Sequence, residues 1–178
     1  MKEKKTSNKK AYLRDFKIND AGEYEYKGSV YVLDETNITL KQVKTKVGIY
    51  ACIVIACYVL CGFLKADGLI NAFYVTLPFV FGFFVDCVLS YKIFTFIFGR
   101  YPVRSYEYKK TIDKYDGYLI AVVILAIATI LGEAFYLVRN GIHLSLSQTI
   151  IFIVCDIVII IFASACKNFL KQLHWQQK

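Results

Sequence analysis

Four long apolar runs, Val47–Leu64, Leu69–Phe98, Gly117–Val138 and Gln148–Cys166, interrupt an otherwise polar and basic chain. A helix needs about 20 mainly apolar residues, within a range of roughly 17–25, to cross the hydrocarbon core of a bilayer. The first and last runs are near the short end of that range. The second exceeds one crossing, so it is expected to tilt, to kink at Pro78, or to emerge at Tyr91-Lys92. None of the four shows the polar face of a helix packed on a small soluble domain. The pattern predicts an all-α membrane protein, a four-transmembrane-helix bundle of two helical hairpins over residues 47–168. Gly99-Arg100-Tyr101-Pro102 should end the second helix. Ser105 can then cap a third helix that rises from near residue 105 to Val138, with Glu107 favourable at its start.

The pattern changes outside the runs. Residues 1–11 are rich in Lys, Ser and Asn and read as a disordered basic N-terminus. Residues 12–35 are β-prone: Tyr12–Ile18, Glu23–Tyr26 and Ser29–Leu33 are separated by turn signals at Asn19-Asp20-Ala21-Gly22 and Lys27-Gly28. They predict a small cytoplasmic β-hairpin or meander of two or three strands. A lone hairpin is marginal in water, so it must pack on the bundle, the membrane surface or a partner. Tyr24, Tyr26 and Tyr31 form its candidate docking surface; the other reading is a segment that folds only on binding. Residues 36–46 read equally as an interfacial helix, its lysines on lipid phosphates, or as the cytoplasmic end of the first span. Residues 169–178 continue the last helix as an amphipathic cytoplasmic tail carrying Phe169, Leu170, Leu173 and Trp175.

Charge sets the orientation. Of 22 Lys and Arg residues, only Lys65 and Arg139 fall on the side of the two short turns. Basic residues are retained on the cytoplasmic side of a membrane. Both termini are therefore expected in the cytoplasm of a multi-pass protein of the cell membrane. The net charge of +8 is then a topology signal, and a nucleic-acid partner is not expected. Arg100, Arg104, Lys109 and Lys110, between the second and third runs, are candidate contacts for anionic lipid headgroups. No cleavable signal or lipidation box is evident, although Cys166 lies where reversible acylation would occur.

Four ionisable residues fall inside the runs: Asp86, Lys92, Glu133 and Asp156. Each charge costs roughly 2.5–3.5 kcal/mol on insertion scales, so such residues face a bundle interior or a wet cavity. Rise per residue puts Asp86, Asp156 and Glu133 roughly 25, 12 and 8 Å from the outer ends of their spans. Glu133 and Asp156 should be neighbours, and Lys92 should snorkel to the cytoplasmic surface. The acids can line a path for a cation or proton, or serve as interhelical polar contacts to Tyr74, Thr76, Ser90, Thr129 or Ser164. Gly82, Gly117 and Gly132 mark expected close helix contacts.

Other chemistry is thin. Six cysteines lie in the spans without a CxxC and read as small apolar residues, with Cys57 and Cys61 on one face. His143 and His174 do not make a metal site, and no cofactor motif is present. Three functions fit. The first is a non-enzymatic subunit or accessory protein of a membrane complex, with a membrane-protein partner or a second copy. The second is an oligomeric channel or transporter built on the acids. The third is a membrane-embedded enzyme using the thiols.

Overall fold

The computed structural model describes residues 16–18, 24–34, 38–141 and 145–178. Strands β1 (Phe16–Ile18), β2 (Tyr24–Tyr26) and β3 (Val30–Leu33) precede helix α1 (Leu40–Phe63). A short helix, α2 (Asp67–Asn71), leads into α3 (Phe73–Phe98). Strand β4 (Val103–Arg104), helix α4 (Ser105–Lys110) and a 3-10 turn (Ile112–Lys114) connect to α5 (Tyr115–Asn140), α6 (Leu146–Lys171) and β5 (Trp175–Gln177).

Among the described residues, four helices are long and apolar enough to span a membrane. Helix α1 begins at a capping box. Gln42 N–H donates to Thr39 Oγ1 at 3.4 Å, and Thr39 N–H donates to Gln42 Oε1 at 3.1 Å. The helix runs unbroken from Leu40 to Phe63, so residues 40–46 are continuous with the first apolar helix; residues 35–37 lie outside the described residues. Each long helix buries one stripe at three- and four-residue spacing. On α1 it is Val43, Val47, Ala51, Val54, Tyr58 and Cys61; on α5 it is Tyr115, Leu119, Val122, Ala126, Thr129, Glu133 and Tyr136. That spacing places side chains on one helical face. Helix α1 packs on α3 and α6, and α5 packs on the same two, which closes the four into a ring.

The outward faces are apolar. Phe63, Phe98 and Val138 are 80%, 83% and 89% exposed, and similar residues recur along all four helices. A water-soluble surface does not carry apolar area on that scale. The buried stripes hold Asp86, Thr129, Glu133, Thr149 and Asp156. This inversion, apolar outside and acids inside, suits lipid as the solvent.

The helix expected to rise from Ser105 runs as α4, a turn at Thr111, the 3-10 turn and α5, with Thr111 still in the right-handed helical region (φ −111°, ψ −78°), and forms one 36-residue helical segment to Asn140. One expected helical segment is different. The C-terminal tail leaves the helix after Lys171 and forms β5. The reason is pairing: Leu33, Val32 and Tyr31 of β3 are in antiparallel register with Trp175, Gln176 and Gln177. On the other side of β3, Val30 and Tyr31 pair with Arg104 and Val103 of β4. The result is a three-stranded antiparallel sheet, ordered β4-β3-β5, and not a local meander. Among the described residues, strand β1 pairs only with β2, with Phe16 opposite Tyr26. The sheet therefore joins the N-terminal segment, the α3–α5 connection and the C-terminus at one end of the helices. Stacked rings lock it there: Tyr31 on Tyr108 (4.0 Å, 7°), then Trp175 edge-on to Tyr108 and to Phe96.

Candidate functional sites: a buried string of acids and a cationic pocket

The α1–α3 connection is where the acids begin. It was expected as a tight outward turn, yet Asp67 and Gly68 are fully buried or nearly so and α2 packs on α5. The first N–H groups of a helix have no partner within it. Here Glu133 Oε1 accepts from Gly68 N–H at 3.0 Å, and Thr149 Oγ1 accepts from Asp67 N–H at 3.4 Å. Glu133, on α5, thus caps α2 from across the bundle. A side chain at position 68 would collide with Glu133 Oε2, which accounts for the glycine. Thr76 Oγ1 donates to Leu69 O at 2.6 Å and ties α2 to α3.

Deeper in, Asp156 on α6 lies within electrostatic range of Glu133, as expected from the short α5–α6 connection. Tyr58 on α1 sits in range of both Asp156 and Asp86, so it bridges the two depths. Its hydroxyl presses on α3 where Gly82 leaves room: an added Cβ there would lie 2.6 Å from it. Asp86 borders a cavity of about 10 Å3, with Val54, Leu89 and Ala163. Among the described residues, Asp86 Oδ2, both Asp156 carboxylate oxygens, Glu133 Oε2, Ser90 Oγ and the Tyr58 hydroxyl are buried without a hydrogen-bond partner.

The expected hydroxyl partners do not meet the acids. Thr76 and Thr129 bond to backbone carbonyls, Thr129 to Leu125 O at 2.9 Å, because a helical threonine reaches its own preceding turn first. Gly82 and Gly132 do mark close approach; a Cβ on Gly132 would lie 3.3 Å from Tyr74 O. That carbonyl is the one that Pro78 cannot serve as donor. Gly117 has open space around it and marks no contact. Cys166 is buried at 2% exposure, a poor position for acylation.

Lys92 does not belong to the acid string. It snorkels to the end of α3, where its Nζ donates to Lys110 O at 2.8 Å and lies 5.1 Å from the Tyr118 ring. Its carbonyl accepts from the Tyr115 hydroxyl at 3.0 Å. There it meets a pocket of about 470 Å3, walled by the end of α3, residues 99–103 and α4. Of the four candidate headgroup contacts, Arg100 and Lys110 line this pocket. Arg104 turns instead to the sheet, with its guanidinium 5.2 Å from the Tyr26 ring, and Lys109 is exposed outside the pocket.

Two of the tyrosines proposed for docking, Tyr26 and Tyr31, make contacts within the protein. Tyr26 donates to Ser29 O at 3.1 Å and meets Tyr106 edge-on at 6.2 Å; Tyr31 stacks on Tyr108. The side chain of Tyr24 lies outside the described residues, as do the Tyr12–Asp15 segment, the Asn19–Glu23 turn and His143. Lys44 is the cation that sequence reasoning left in a general group of lysines: its Nζ donates to Ile97 O at 2.8 Å and Gly99 O at 3.3 Å. Its place on the lateral face of α1, opposite the end of α3, follows from packing and left no local signal. Comparison of the chain with protein-family models, with curated proteins and with solved structures gives no match.

Proposed function

We propose that this chain is a small, non-enzymatic, multi-pass protein of the cell membrane that works by association, as a subunit or accessory of a larger membrane complex. Both termini lie in the cytoplasm, and hairpin β1–β2 is the docking element. The observation that carries this reading is that the hairpin stands apart from the three-stranded sheet in its strand pairing, although Tyr26 touches Ser29 and Tyr106. Among the described residues its strands pair only with each other, while β3 is built into the sheet. A two-stranded ribbon is marginal in water and offers its open edges to a strand of a partner. The orientation is supported by the Lys and Arg residues, which gather on the side where the sheet joins both termini to the α3–α5 connection.

Deletion of residues 1–26 tests the reading better than a longer cut, because β3 belongs to the body of the protein. The shortened protein should insert and unfold like the full chain yet lose the proteins that co-purify with it in mild detergent. A full chain that purifies alone as a monomer, or a shortened one that keeps every partner, contradicts the proposal.

A second reading is favoured by the unpartnered carboxylate oxygens: an oligomeric channel or transporter for protons or cations through Asp86, Glu133 and Asp156. It must be oligomeric, because the cavity beside Asp86 is about 10 Å3, the scale of one water. Proteoliposome flux that survives combined D86N, E133Q and D156N substitutions rules this path out.

A further inference from the structure

We infer that the pocket at the end of α3 is a binding site for one anionic phospholipid, its phosphate held among Lys44, Lys92, Arg100 and Lys110 and one acyl chain running down α3. This goes beyond the association reading and depends only on the four helices spanning a bilayer.

Charge is the first support. Four cations and one carboxylate, Glu107, line the pocket, a formal excess of three positive charges. Among the described residues none of the four cations forms an ion pair. Lys110 and Lys114 also lie close enough to Lys92 to repel it. Like charges gathered without a counter-ion are costly, and a phosphate would relieve that cost. Glu107 is partly engaged already, since its Oε1 accepts from the Tyr106 hydroxyl at 2.9 Å.

Geometry is the second support. An ammonium has three donors. Lys44 gives two to the carbonyls of Ile97 and Gly99, and Lys92 gives one to Lys110 O. Those neutral acceptors fix both side chains at the pocket without cancelling their charge, and they leave donors over. Arg100 adds a planar fork suited to phosphate oxygens.

The third support separates a lipid from free phosphate. The pocket reaches Val88, about 15 Å along α3 from its end at Phe98. Phe81, Phe84, Val88 and Tyr91 form an exposed stripe at three- and four-residue spacing that leads into it. A cationic pocket between membrane helices, continuous with an apolar lateral face, matches a molecule that has both a phosphate and a chain. Tyr91, 74% exposed at the junction, suits the headgroup level.

The test uses the full chain in a neutral detergent, titrated with dioleoyl phosphatidic acid, dioleoyl phosphatidylcholine or inorganic phosphate, and read by native mass spectrometry and thermal shift. One equivalent of phosphatidic acid should bind at least tenfold more tightly than phosphatidylcholine, and inorganic phosphate should not match it. R100Q with K110Q should weaken phosphatidic acid tenfold or more, while K109Q, outside the pocket, should not. V88W, which fills the apolar wall and keeps every cation, should also weaken it, with an unchanged melting temperature in the absence of lipid. Equal affinity for the two lipids, full binding by the R100Q/K110Q protein, or inorganic phosphate binding as tightly as the lipid overturns the inference.

Discussion

Glu133 illustrates how a buried acid acquires a role that spacing does not reveal. Its position on the inward stripe of α5 was legible, and so was its nearness to Asp156. Its partner was not, because Gly68 belongs to a five-residue helix with too few positions to show a period. Removing the acceptor with E133A leaves a buried N–H unserved and should cost about 1–3 kcal/mol. E133Q keeps an amide oxygen in place and should cost less than about 1 kcal/mol by the same reasoning. Denaturant titration of the purified protein in detergent distinguishes the two, and equal losses would contradict the cap. Tyr58 gives a second check. Its hydroxyl has no partner and fills the space that Gly82 leaves, so Y58F should be close to neutral. G82A should destabilise, and the double variant should recover most of the loss, a coupling that adjacent residues in contact display.

At the level of elements, the long helices were readable because their solvent, lipid, imposes a simple rule on composition and length. The short elements were not. Helix α4 and the 3-10 turn lie on the one rising helix, but the switch between α and 3-10 geometry at Thr111 has no local signal. Beside that switch, Lys92 Nζ donates to Lys110 O and the Tyr115 hydroxyl donates to Lys92 O. The C-terminus was read as helix from Phe169, Leu170, Leu173 and Trp175, whose spacing suits a helical face. Trp175 instead packs on Phe96 and Tyr108 from within a strand. A three-residue strand has almost no signature of its own; it exists because β3, some 140 residues away, presents an open edge. Ending the chain at Lys171 should therefore remove hydrogen-exchange protection at Val30 and Asp34, whose N–H groups donate to Lys178 O and His174 O, while leaving α6 protected. W175A should cost about 1–3 kcal/mol through its two ring contacts. Unchanged protection in the shortened chain would mean that β5 does not hold the sheet.

For the whole molecule, four apolar helices enclose a graded set of acids, and a small sheet sews together the segments that emerge at one end. An even number of crossings requires those segments to share a side, and the pairing of β3 with both β4 and β5 is what that arrangement allows. The cationic pocket lies at the same end as the sheet. The proposed orientation, argued from the asymmetry of Lys and Arg, puts that end in the cytoplasm. Cysteine labelling in intact cells tests this most directly. In a variant lacking the six native cysteines, single cysteines replace the exposed Lys65, Arg139, Lys109 or Lys178. A membrane-impermeant maleimide should modify the K65C and R139C proteins from outside, and the K109C and K178C proteins only after the membrane is opened. Modification of the K109C or K178C protein in intact cells, with K65C and R139C protected, would contradict the account.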